Sequence, residues 1–223
     1  MKIKIAQTID LFLEEISKKY SSNTVRKYED TLSLFKDFLT SYGDVSYSED
    51  KNGRIILTAD TSEFEFGHTS QFLEWFLIRK VMAPQWMMKA APGIIKKYFK
   101  WLDEKGLLGE GVIEEVLDTT KQASKDLPRV DKAAELLFNL CSINSSRYFD
   151  RVFDDDAYME GYGELKGMLE DKLYLLYEGE RIGPIQVTKK IAEHLKEGDT
   201  INLAVGRVGK KWIPLEVGNV YPK

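Results

Sequence analysis

From its first residues the chain places apolar side chains at helical spacing. Ile9, Phe12, Leu13 and Ile16 recur at i, i+3, i+4 and i+7, with Thr8 as candidate cap and an end near Tyr20. The stretch SSNTVRKYEDTLSLFKDFLTSYG, residues 21–43, repeats the pattern. Val25, Tyr28, Leu32, Phe35 and Leu39 form one stripe, while Arg26, Lys27, Asp30 and Lys36 fall mostly outside it. Ser22 or Asn23 offers the cap oxygen, and Gly43 stops the helix. Between Asp44 and Gly67 the period changes: Asn52-Gly53 separates two short β-prone runs, a hairpin signal. Helical pattern resumes in QFLEWFLIRKVM, with Thr69 or Ser70 as cap.

Pro84 suits the first turn of a longer helix, Gln85 to Lys105, in which Pro92-Gly93 predicts a kink or two collinear pieces. Met87, Ile94, Ile95, Tyr98, Phe99, Trp101 and Leu102 form its buried side, while Lys89, Lys96 and Lys100, spaced by seven and four, share an outer face. Two further helices are expected, Val112 to Lys125 and Asp131 to Leu140, separated at Leu127-Pro128. A composition break follows at NSSRYFDRVFDDDAYMEGYGE. Its Asp154-Asp155-Asp156 run lacks the glycine and distal glutamate of an EF-hand loop and reads as a solvated acidic linker. The tail consists of short strand-like runs divided by Gly, Asp and Pro, with a brief helix in TKKIAEHLKEGD. Leu173, Leu175, Ile185, Val187, Ile201, Leu203, Val205, Trp212 and Leu215 are its expected core.

Composition adds bounds to this layout. The 223 residues suit one medium and one smaller domain, and 43% hydrophobic with 30% charged residues is the balance of a folded globular chain. No apolar run reaches membrane-spanning length and the N-terminal stretch meets acidic residues too early for a signal peptide, so a cytoplasmic protein without membrane contact is expected. The single cysteine, Cys141, lies in an apolar run and reads as a buried structural thiol. The net charge of −4 argues against a polyanion-binding surface over the whole molecule. The charge is unevenly distributed, however: residues 79–105 hold seven basic side chains against two acidic ones, residues 147–180 four against ten, and residues 181–223 eight against four. A local basic surface therefore stays open to an anion.

The order and spacing of two motifs carry a family resemblance. Ser21, Thr24, Tyr28, Leu32 and Phe35 match the Ser-x-x-Thr-x-x-x-Tyr-x-x-x-Leu-x-x-Phe pattern that opens a helix in the core-binding, SAM-like domain of tyrosine recombinases (phage integrases). IIKKYFKWLDEKGLL is similar to the last helix of that domain, and KDLPRVDKAAELL resembles the passage into the catalytic domain. The likeness covers residues of about 5–108. It implies that the second and fourth helices face duplex DNA, with Ser22, Asn23, Thr24 and Lys27 on one and Lys89, Lys96, Lys97 and Lys100 on the other. Lysine contacts to phosphate position a protein without reading sequence, and no bidentate arginine pair is present, so weak specificity is expected.

The family's catalytic apparatus has no counterpart in the sequence. No His-x-x-Arg occurs, His68 and His194 stand apart, and Tyr221 has no partner cluster before it. The expectation is a non-enzyme without catalytic residues, metal or cofactor. In the tail, IQVTKKIAEHLKEGDTINL is similar to the strand, short helix and Gly-Asp turn of AbrB-like transcription-factor domains, but Thr188 stands in the place of their proline. A generic SH3-like or OB-like barrel used for protein or nucleic-acid contacts is the expected reading, with the AbrB-like one as the alternative. Arg207, Lys210 and Lys211 beside Trp212 form a candidate second nucleic-acid contact. The expected fold class is α+β, an N-terminal all-α SAM-like bundle followed by a small C-terminal β-barrel-like domain. Its expected divisions are 1–125 (helical), 126–160 (helix and acidic linker) and 161–223 (β-rich). The expected function is a DNA-binding accessory or regulatory factor at mobile-element DNA, with the β domain open to a protein partner. A protein-interaction module that keeps the fold without binding DNA is the rival reading.

Overall fold

The computed structural model describes residues 3–148 and 158–223, and the fold is α+β: N-terminal helices followed by a closed five-stranded β-barrel. Two compact units divide the chain, Met1–Lys125 and Asp126–Lys223. The Asp154-Asp155-Asp156 linker reading lies outside the described residues.

In the first unit, apolar stripes at helical spacing become α1 (Ile5–Ser17), α2 (Ser22–Tyr42) and α4 (Gln85–Glu104). Between α2 and α4 lie strands β1 (Tyr47–Glu49) and β2 (Ile55–Leu57), a 3₁₀ turn at Thr61–Glu63, and α3. The hairpin forms around Asn52-Gly53, with Gly53 at φ 75° and the Asp50 carboxylate accepting from the N–H groups of Asn52 and Arg54. Helix α3 opens with one α turn, His68–Ser70, and continues as a π-helix, Gln71–Val81, whose wider turn stacks Phe72 on Phe76. The core is aromatic: Phe35 of α2 touches Phe38, Phe64, Phe72 and Phe99.

Three expected caps are not caps. Thr8 lies inside α1, fully buried, with its hydroxyl donating to the Ile5 carbonyl and 2.6 Å from the Tyr98 hydroxyl; burial of Tyr98 demands such a partner. Helix α2 begins at Ser22, so its cap is Ser21 rather than Ser22 or Asn23. Helix α3 is capped by Gly67 at φ 94°, a backbone angle that suits glycine, which moves Thr69 and Ser70 inside the helix. Gly43 does end α2, though at an ordinary φ of −86°; a Cβ there would sit 2.9 Å from the Leu39 backbone.

The expected break at Leu127-Pro128 is also absent, and α5 runs unbroken over Val112–Tyr148. Pro128 removes one backbone hydrogen bond, at a cost of about 3 kcal/mol. The stripe of Leu127, Val130, Ala133, Leu137 and Cys141 is buried through the same turns. At about 1.5–3 kcal/mol for each large aliphatic side chain, that burial outweighs the lost bond.

The second unit holds β3 (Tyr158–Leu169), β4 (Lys172–Tyr177), β5 (Glu180–Gln186), the short α6 (Lys189–Ala192), β6 (Thr200–Val208) and β7 (Lys211–Tyr221). The strands close within one chain in the order β3-β4-β5-β7-β6. Leu165, Leu173, Leu175, Ile185, Ile201, Leu203 and Val205 are fully buried, whereas Trp212, an expected core residue, is half-buried where β7 meets β5 opposite Ile185. Thr188 caps α6 through its side chain, which accepts from the Ile191 N–H.

An ion network joins the second half of α5 to the barrel. Arg129 reaches both oxygens of Asp199 at 2.6 and 2.9 Å and bonds Asp126, which also receives Lys196 at 2.7 Å. Asp199 is fully buried and Asp126 nearly so. Removing the guanidinium leaves carboxylates without their main counter-charge, the costly half of breaking a buried pair. Arg129→Met is expected to destabilise the protein by about 3–5 kcal/mol, read as a lower urea midpoint; a midpoint unchanged from wild type would contradict this role.

Candidate nucleic-acid interface

Helix α4 sorts its residues by angle. Met87, Met88, Ala91, Ile94, Ile95, Tyr98, Phe99 and Leu102 are buried, which turns Trp86, Lys89, Gly93, Lys96, Lys97 and Lys100 onto one outer arc. Among the described residues, Lys89, Lys96 and Lys100 make no ion pair or side-chain hydrogen bond. On the neighbouring flank the lysines are neutralised: Lys18 pairs with Glu14, and Lys19 and Lys105 with Glu15. A free lysine row next to paired ones concentrates positive potential on α4.

Three cation–aromatic contacts set the first turns of α2 and the residue Tyr20 before it beside this row. The Lys27 ammonium lies 5.9 Å from the Trp86 ring of α4, and Lys97 of α4 lies 4.5 Å from the Tyr20 ring and 5.8 Å from that of Tyr28. Lys97 also donates to both tyrosine hydroxyls. That hydrogen bond to Tyr20 raises the Lys97 pKa and lowers that of Tyr20, so the ammonium stays charged. Lys19, Tyr20, Lys97, Lys100 and Trp101 line a groove of about 300 Å³, with Glu15 and Glu104 on its acidic side.

Ser22 and Asn23 are exposed at the start of α2, and Thr24 is half-buried. The cap residue Ser21 makes no side-chain cap bond, its hydroxyl lying instead 3.2 Å from that of Thr24. The Thr24 and Val25 N–H groups donate to the Ser21 carbonyl, but no side chain caps the helix. The positive end of the dipole of a 21-residue helix therefore lies without a protein side chain over it, an arrangement suited to an anion.

Gly93 adds a contour. Apart from its chain neighbours and its own helix backbone, no atom lies within 4 Å of where its Cβ would be, so the protein's own packing does not require glycine there. In a helix interior glycine is disfavoured relative to alanine by about 1 kcal/mol, and here it leaves bare backbone amid Lys89, Lys96, Lys97 and Lys100.

The structure thus sets Lys27 of α2 against Trp86 of α4 and Lys97 of α4 against Tyr28 of α2, with Lys89, Lys96 and Lys100 along the same α4 arc. Tyr20, Tyr28, Trp86 and Gly93 complete the surface. Helical spacing already aligned Lys89, Lys96 and Lys100, but the approach of Tyr20 and Tyr28 to Lys97 and of Trp86 to Lys27 joins separate elements and had no sequence signal. Of the carboxylates from 44 to 74, Asp60 pairs with Lys4, and Glu63 accepts from the backbone N–H groups of Ser46 and Asp60. Arg207, Lys210 and Lys211 are exposed at the β6–β7 turn of the second unit, with Trp212 opposite Arg207.

The histidine and tyrosine set aside from catalysis have structural settings. His68 is buried, with Nε2 2.7 Å from the Gly43 carbonyl and Nδ1 accepting from Glu65. The Tyr221 ring rests 6.2 Å from that of Tyr162. Among the described residues no group of three or more His, Cys, Asp or Glu could hold a metal ion, and no helix is long and apolar enough to cross a membrane. Compared with known proteins, the chain matches no family model, no curated protein and no solved structure.

Because the space above Gly93 is open, Gly93→Ala is expected to stabilise the folded protein by up to about 1 kcal/mol, seen as a raised thermal midpoint. A lowered midpoint would show that the glycine serves the fold.

Proposed function

We propose that the first unit binds double-stranded DNA through the α4 lysine row and the open N-terminus of α2, as a non-catalytic protein of the tyrosine-recombinase core-binding type. The observation that carries this reading is the set Lys89, Lys96 and Lys100, free of carboxylate partners on one helical arc beside Lys27 and Lys97. Phosphate oxygens supply the counter-charge, bare backbone at Gly93 admits close approach, and Ser22 and Asn23 meet a phosphate at the helix dipole. Lysines act as point charges rather than readers of base edges, so affinity dominates over sequence preference. Arg207, Lys210 and Lys211 offer a second phosphate contact from the barrel. A role as accessory or regulatory factor at mobile-element DNA in the cytoplasm fits a DNA-gripping unit joined to a barrel.

A second reading has its own observation. Tyr47, Ile55 and Ile56 of the hairpin and Phe66 beyond it are exposed at 47–65%, apolar surface that suits a protein partner better than DNA. The two readings separate in a fluorescence-anisotropy titration of labelled duplex at several salt concentrations. Neutralising about four phosphates gives a slope of log K against log salt near −3.6, and Lys96→Glu/Lys100→Glu is expected to abolish measurable binding while the far-ultraviolet circular dichroism stays native. A folded wild type that does not bind at low salt leaves the interaction-module reading standing.

A further inference from the structure

The outer face of the barrel carries a trough whose chemistry is opposite to that of α4. Tyr158, Glu160 and Tyr162 alternate along β3 and therefore point outward together. Strand pairing sets them opposite Gly206, Ala204 and Asn202 of β6, and β6 in turn sets Gly206 opposite Ile213 and Ala204 opposite Glu216 of β7. The middle strand thus has nearly no side chain where both neighbours have large ones. Helix α5 closes the long side: Asn144 and Ser145 donate to the Pro214 and Leu215 carbonyls of β7, bringing Phe138, Cys141 and Ser142 to the wall. The result is a cavity of about 480 Å³ with Ala204 in its lining and Glu160 and Glu216 on its walls.

The two carboxylates face each other across Ala204, their backbones two strand spacings or about 10 Å apart. Neither has a basic partner among the described residues; Glu160 accepts only from the Tyr158 hydroxyl. Their negative field shows on their neighbours. The Tyr158 phenol is pushed up to about 12 by burial, its bond to Glu160 and the charge of Glu216, and the Cys141 thiol to about 12 by burial and then Glu216. So protonated a thiol is neither nucleophile nor metal ligand. Phe138, 65% exposed, and Tyr158, 39% exposed, supply aromatic surface at the rim.

We propose that this trough docks an arginine or lysine side chain from an extended segment of a protein partner. The cationic head sits between Glu160 and Glu216 over Ala204, its apolar stem lies along Cys141 and Phe138, and Tyr158 offers a ring to the charge. Asn202 and Ala204 line it from β6 and Leu215, Val217 and Gly218 from β7, and its volume of about 480 Å³ fits a long side chain with the backbone that carries it rather than a compact ion. A nucleic acid is repelled by the same carboxylates. This proposal does not depend on DNA binding by the first unit.

The test uses the ¹⁵N-labelled full chain titrated with capped leucyl-arginyl-leucine amide, with its glutamyl counterpart, and with butylguanidinium. The arginyl peptide is expected to shift the amide signals of Asn202, Ala204, Gly206 and Gly218, and Glu160→Gln/Glu216→Gln to weaken it about tenfold, with dispersed spectra showing an intact fold. No shifts at millimolar peptide, equal shifts with the glutamyl peptide, or unchanged affinity in the double variant would each overturn the proposal. Butylguanidinium binding as tightly as the peptide would overturn the protein partner in favour of a small cation.

Discussion

Burial of the Phe35 ring is the constraint on which the first unit rests. Phe35 is fully buried and meets Phe38 on its own helix, Phe64 after the 3₁₀ turn, Phe72 of α3 and Phe99 of α4. Each neighbour fixes a different element against α2, so the ring holds the register of all of them. Phe99 in turn sets the rotation of α4 about its own axis. With Phe99, Tyr98 and Leu102 directed inward, the lysines at 89, 96 and 100 have nowhere to point but out. The outer charge pattern is a consequence of the inner aromatic one.

That dependence explains what could be read in advance. The stripes of α2 and α4, the Asn52-Gly53 hairpin and the strand-rich tail follow from periodicity and turn chemistry, which are local properties. The caps at Thr8 and Thr69 misled because a hydroxyl ahead of an apolar stripe has two uses. Thr8 bonds a tyrosine ninety residues away, and no local pattern announces that. Pro128 misled for a related reason: its local cost is fixed, while the burial of Leu127 and Val130 that offsets it is tertiary. On the candidate surface, the lysine spacing was legible, but the stacking of Tyr20, Tyr28 and Trp86 on Lys97 and Lys27 needed the fold.

The net charge of −4 conceals a separation of sign by location. Whether a charged side chain is available to a partner depends on what lies within reach of it. Lys18 and Lys105 have a glutamate nearby and Lys96 does not; Glu164 is paired with Lys166 and Glu216 has no such partner among the described residues. Exposed pairs of this kind contribute little to stability, so their main effect is to remove charge from some surfaces and leave it on others.

Small residues mark the same places as the free charges. Gly93 lies amid the lysines of α4 with open space above it, and Ala204 and Gly206 lie between Glu160, Tyr158 and Glu216 on the barrel. Elsewhere small size answers to the fold: a Cβ on Gly163 would approach Tyr177 to 2.9 Å, and Gly43 is held against Leu39. Gly93 has no such neighbour. On the proposed reading, a residue that weakens its helix and relieves no crowding within the protein leaves room for a partner that approaches from outside. At α4 the surrounding charge calls for an anion, and in the barrel trough for a cation. The two units therefore differ in the partners they can take because free charge and absent side chains coincide at one place in each.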